Sequence, residues 1–216
     1  MRGADRWGIM SEIMADIKKF TPVKLICGII ASRDEHFDRA EERLAALYGE
    51  VDSRSPRFVF DLTDYYEAEM GPGLKRAFVG FGRMIDPADL SAIKLRTNGL
   101  EKEITAEFET DRQPGCLGRL GRQERPGRRS QPGCRGRIVN LDPGYLTAAA
   151  LIMATAKDFS HRIPLQQGIY GHLEFLFTKT GIRRLDWTYP DFAQDGYQAY
   201  FLGLRREHLR RLKARD

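Results

Sequence analysis

Between Lys157 and Arg162 the chain reads Lys-Asp-Phe-Ser-His-Arg, four ionisable side chains in six residues, directly after an apolar run. A carboxylate close to His161 can fix the tautomer of the imidazole and raise its pKa, which is how acid–base pairs are built. Asp142, Asp158 and His161 are therefore the catalytic candidates. The same three residue types can also hold a divalent metal, so metal binding stays open. Lys157 and Arg162 have the chemistry to grip a phosphate or carboxylate. Tyr145, Tyr170 and Asp191 join them as candidate ligand-binding residues. A salt-bridged turn would use the residues of 157–162 equally well.

Four other polar groupings stand beside this one. Asp64-Tyr65-Tyr66-Glu67-Ala68-Glu69-Met70-Gly71 follows a strand pattern, where loops meet ligands. Lys94 and Asn98 are four apart on a helix pattern and share a face with Thr97. Asn140-Leu141-Asp142-Pro143-Gly144-Tyr145 reads as a strand end and turn, with Asp142 at the mouth of the sheet. Trp187-Thr188-Tyr189-Pro190-Asp191-Phe192 reads as a lid over 157–162 or as a staple for the last helix. The common signatures are missing: no phosphate loop, no dinucleotide fingerprint after a strand, no HExxH, CxxC or GxSxG. Gly71-Pro72-Gly73 suits a turn better than a phosphate cradle.

The elements that must position these groups follow from periodicity. Val23–Ala31 is a continuous, β-branched apolar run and predicts a strand buried on both faces. Ser32 and Glu35 have the spacing of a capping box, opening a helix whose apolar face is Phe37, Ala40, Leu44 and Leu47 and which Gly49 closes. Strands follow at 57–62 and 76–85. Asp86-Pro87 starts a helix through Leu90, Ile93, Thr97, Leu100, Ile104 and Phe108. A short strand comes at 138–141. The order strand–helix–strand–strand–helix–strand is a ferredoxin-like βαββαβ core in an α+β fold. The C-terminal extension is read as helix (146–156), strand (169–177), a hairpin through Thr180-Gly181, and a last helix over 196–213.

Length and charge bound the classes. The 216 residues suit one domain, here 22–212 behind a flexible N-terminal segment 1–21. The net charge of +5 has one local source. Residues 112–137 hold eight Arg and a single acid; without them 27 basic residues face 29 acidic ones. That segment has six Gly, three Pro and a repeated Gln-Pro-Gly-Cys, with no helical or strand period, and reads as a disordered insertion. It has no aromatic residue for base stacking and no His to join Cys116 and Cys134 around a metal. A stretch without a role, or one translated in the wrong frame, fits its composition better than nucleic-acid or thiol chemistry. The three Cys exclude a disulfide framework, and the longest small-apolar run, 11 residues, is too short to span a bilayer. A cytoplasmic location is expected.

Seven stretches together resemble an uncharacterised bacterial family, the domain-of-unknown-function family 4416. They are PVKLICGII at 22–30, FDLTDYYEAEMG at 60–71, KLRTNGLE at 94–101, VNLDPGYLT at 139–147, KDFSHRI at 157–163, GIY at 168–170 and WTYPDF at 187–192. The resemblance implies no settled activity. Some members carry a GTP-binding label, yet Thr178-Lys179-Thr180-Gly181 lacks the Asp of a base-reading motif. It also implies a shorter connection in place of 112–137. The expectation is a small-ligand-binding protein or enzyme acting on an anionic, phosphate- or nucleotide-like ligand; nucleic acid and membrane are not expected partners, and cofactor and oligomeric state stay open. The alternative is an RNA-binding or protein-interaction module that would present Phe58, Phe60, Phe78 and Phe81 on an open sheet.

Overall fold

The computed structural model describes residues 18–61, 66–110 and 136–214. The N-terminal segment 1–17, Asp64 and Tyr65, and residues 111–135 with Cys116 and Cys134 lie outside the described residues. The elements run β1 (Val23–Ala31), α1 (Asp34–Tyr48), β2 (Val51–Arg54), β3 (Phe58–Val59), α2 (Glu67–Met70), β4 (Lys75–Ile85), α3 (Leu90–Thr110), β5 (Val139–Leu146), β6 (Ala150–Thr155), β7 (Ile163–Pro164), β8 (Tyr170–Phe177), β9 (Ile182–Arg184) and α4 (Asp195–Lys213). The strands form one antiparallel sheet in the order β2-β4-β1-β5-β6-β8-β7, with β3 on β4 and β9 on β8. The fold is α+β.

Alternation along β1 explains its unbroken burial. Leu25, Cys27 and Ile29 face α1 and α3, meeting Phe37, Leu44, Leu100 and Ile104. Ile26 faces α4 with Phe78, Phe175, Tyr197 and Phe201. Both faces of the central sheet are thus covered. Phe60, Phe78 and Phe81 are buried, and Phe58 stacks on Tyr197 at 4.3 Å. These four phenylalanines pack in the core and do not stand on an open sheet face. Among the described residues no helix is long and apolar enough to cross a membrane.

Four local expectations need correction. The stretch 146–156, read as a helix, is the end of β5, a turn and β6. Its side chains show no helical polarity, and Thr147 closes the turn instead: its Oγ1 accepts the N–H groups of Ala149 and Ala150 at 3.0 and 2.9 Å. Asp142-Pro143-Gly144 does not end a strand but runs through the middle of β5, opposite Gly28, Cys27 and Ile26 of β1. Gly144 serves close approach, since a Cβ there would lie 2.5 Å from the Ile152 carbonyl oxygen. Ser32 caps nothing; α1 starts after Arg33 without a side-chain cap. The second strand is shorter than 57–62, and the short polar strand β2 precedes it. Asp86 does accept the Ala88 N–H, and Gly49 does end α1 with a positive φ of 93°.

Candidate ligand-binding cleft

The sheet splits between β5 and β6. These strands pair only over Gly144–Leu146 and Leu151–Met153, and the next residue on β5, Pro143, has no N–H with which to continue the ladder. Residues 139–143 then stay with β1, while 154–155 stay with β8. The space between them is a cavity of about 950 Å³. One side of α3 presents Lys94, Asn98, Glu101, Lys102 and Thr105, a polar stripe at helical spacing. The opposite wall is His172 and Glu174 of β8 with Tyr189–Phe192. Arg76 of β4 and Asn140 and Asp142 of β5 complete it, and Tyr66 and Lys157 stand in its lining as well.

Buried charges in this cleft are paired, as desolvation requires. Asp142 receives Lys94 Nζ at 3.1 Å on Oδ1, and Asn140 Nδ2 at 2.8 Å and Arg76 at 3.4 Å on Oδ2. Lys94 also donates to the Leu141 carbonyl at 2.8 Å. Arg76 continues to Asp191, with which it forms a buried ion pair. Burial alone would raise the pKa of Asp142; the Lys94 and Arg76 charges override it and hold the carboxyl below its ordinary value. Glu101 goes the other way. Burial dominates and raises its pKa, although it accepts the Leu141 N–H at 2.7 Å and pairs with Arg137 at 2.7 Å.

At the β8 wall, Glu174 and His172 are almost wholly buried, 0% and 1% exposed. The register slips here: Leu151 opposes Phe175 and Ile152 opposes Leu173, so Glu174 is the extra residue of a β-bulge. Bulges re-aim side chains, and this one turns a carboxylate into the cavity. Glu174 Oε1 accepts the Tyr189 N–H at 2.7 Å. Its Oε2 lies 3.1 Å from His172 Nε2, though neither atom completes a well-aligned hydrogen bond.

The sequence candidates distribute unevenly over this geometry. Asp142, Asp191 and Lys157 line the cavity. His161 reaches it at one remove, its Nε2 3.2 Å from His172 Nδ1. Arg162 donates to the Tyr189 hydroxyl at 2.9 Å and to the Lys157 carbonyl at 2.7 Å, outside the lining. Asp158 is exposed and makes no hydrogen bond or ion pair with described residues. Tyr145 packs on Leu90, Ala154 and Ile169, and neither it nor Tyr170 lines the cavity. Asp142, Asp158 and His161 therefore do not converge on one centre: cations occupy both oxygens of the first and the second faces solvent. No group of three metal-ligating side chains occurs among the described residues. Sequence reasoning passed over Arg76, Glu101, His172 and Glu174. The signal for the last two was available, because residues i and i+2 of a strand share a face.

The model of a family described as a domain of unknown function, DUF4416, matches residues 21–115 and 128–208, most of the chain. The chain belongs to the DUF4416 family. The match is interrupted inside the Arg/Gly-rich stretch and covers every described residue that lines the cleft. No curated protein and no solved structure matches this DUF4416 chain.

Proposed function

We propose that this DUF4416 protein is a cytoplasmic small-ligand-binding protein or enzyme, and that its ligand carries an anionic, phosphate- or nucleotide-like group. One observation carries the reading: a split sheet keeps a cavity of about 950 Å³ open beside buried charged side chains. A domain under selection for stability alone fills such a gap with apolar groups, since buried ion pairs add little net stability. The deep cations Arg76 and Lys94 are already neutralised by Asp142 and Asp191. The anionic group is assigned to the outer lining, where Lys102 is exposed and Lys157 stands 5.9 Å from the Tyr66 ring centre. Phe60, Tyr66, Tyr189 and Phe192 offer faces for an apolar or planar remainder.

The scaffold is read as ferredoxin-like over its first half. The support is the order β2-β4-β1-β5, with α1 and α3 packed on one face of those strands.

The test is thermal denaturation of the full chain with inorganic phosphate, nucleoside mono- and triphosphates and sugar phosphates. A rise in Tm that Lys102→Ala and Lys157→Ala together abolish is the expected result. No shift with any of these probes, at concentrations up to several millimolar, would overturn the anionic-ligand reading.

A further inference from the structure

We propose that His161, His172 and Glu174 form a proton relay from solvent into the cleft, with Glu174 as the group that exchanges a proton with the ligand. The inference rests on the cleft being a ligand site only for the last of its transfers. The three side chains lie in series: His161 Nε2 is 3.2 Å from His172 Nδ1, and His172 Nε2 is 3.1 Å from Glu174 Oε2. The outer member is partly exposed and the inner two are buried at the cavity wall.

Two observations separate this chain of groups from an ordinary buried ion pair. Glu174 stands on a β-bulge that places it in the cavity, and its Oε2 is a buried acceptor with no hydrogen bond among the described residues. An acceptor left that way costs free energy unless a ligand or a proton uses it. The second is the support of the outer ring. Trp187 lies flat against His161, 4.9 Å between centres and 7° between planes, and Trp187 Nε1 is tied to the Leu173 carbonyl at 2.8 Å. That fixes the plane of an imidazole that a merely exposed histidine would leave free.

The transfers balance. A solvent proton adds to His161 Nδ1, and the proton on its Nε2 passes to His172 Nδ1. The proton on His172 Nε2 passes to Glu174 Oε2, and Glu174 delivers it to the ligand. The sequence leaves both imidazoles as their Nδ1–H tautomers, and the reverse sequence removes a proton from the ligand. The groups facing His172 set the starting state. They are Glu174 from β8, His161 and Arg162 from the connection before β7, and Tyr189 from the segment after β9; Met153 of β6 opposes it in register. A proton on His172 Nε2 would point across the 3.1 Å to Glu174 Oε2. Arg162 Nε, 3.4 Å from Nδ1, keeps that nitrogen an acceptor.

The relay is testable without a ligand, so its failure and that of the anionic-ligand reading are distinguishable. Full-length protein labelled with ¹⁵N-histidine would be titrated by NMR, with His→Asn variants assigning the four imidazoles. His172 is expected as the Nε2–H tautomer near neutral pH. Exchange of the His172 ring proton with water is expected to slow about tenfold or more in His161→Asn, about 1.4 kcal/mol on the barrier. A static structural pair would leave that rate unchanged. Glu174→Gln is expected to release the tautomer preference. If that variant fails to fold, the wild-type tautomer and the exchange rate of His161→Asn still decide. An Nδ1–H tautomer in the wild type or an exchange rate indifferent to His161 would overturn the relay.

Discussion

Lys94 on α3 bridges to Asp142 on β5, Nζ to Oδ1 at 3.1 Å, across the point where the sheet divides. The same ammonium holds the Leu141 carbonyl at 2.8 Å, so one side chain fixes both the charge and the backbone of β5. Asp142→Ala leaves Lys94 without its ion-pair partner and Arg76 with Asp191 alone, both cations buried. Breaking such a pair from one side costs about 3–5 kcal/mol, and urea unfolding should show a loss of that order. Lys94→Met is expected to cost less, because Arg76 and Asn140 remain on Asp142.

The pH dependence of the two carboxylates differs in sign. Asp142 has a lowered pKa in the fold, so its contribution is fully present above its unfolded value of about 4 and is lost as pH falls through the lower folded value. Glu101 has a raised pKa. Its ionisation therefore opposes folding once pH rises above its unfolded value of about 4.3, and the cost is complete above the folded value. Stability measured from pH 3 to pH 7 should rise less steeply in Asp142→Asn than in wild type, and more steeply in Glu101→Gln. Parallel curves for all three proteins would show that neither carboxyl is perturbed.

The contrast between legible and illegible parts has a physical basis. α1, α3 and α4 announce themselves because each is long and buries one stripe at helical spacing. β1 and β4 do so as long apolar runs. The stretch 146–156 misleads because a short apolar run of Ala, Leu, Ile, Met and Thr has the same look in a buried hairpin as in a buried helix. Asp142 was visible as a polar residue in a patterned context, but its mates Arg76 and Lys94 come from β4 and α3, a contact that only the tertiary fold creates. Asp158 drew attention through its charged neighbours in sequence and ends up in solvent. His172 and Glu174 share one face of β8 as residues i and i+2, but that this face borders a cavity is set by the split between β5 and β6, which no sequence motif announces.

Gly144→Ala tests whether the narrow pairing of β5 with β6 sets the width of the cleft. The new Cβ would stand 2.5 Å from the Ile152 carbonyl oxygen and 2.5 Å from Met153 Sδ. The sulfur end of Met153 can swing away; the backbone carbonyl cannot. Overpacking of this kind costs about 1–3 kcal/mol, so a fall of several degrees in Tm is expected. A Tm within one degree of wild type would mean the strands separate freely at this point.

His208 offers the cleanest pH test away from the cleft. It is buried on α4, its Nδ1 has no hydrogen-bond partner among the described residues, and burial, with Lys24 and Arg211 nearby, lowers its pKa. The unfolded chain then binds the proton first as pH falls below about 6.5, so this residue's contribution to stability is present above that value and declines toward the folded one. His161 is lowered in the same direction, its partial burial assisted by His172 and Arg162. Replacing His208 by Gln should therefore remove part of the acid sensitivity between pH 7.5 and 5.5, and replacing both His208 and His161 should remove more. The two sites lie on separate elements, α4 and the connection before β7, so the effects should add. A double variant no flatter than His208→Gln would place the whole of the effect at His208.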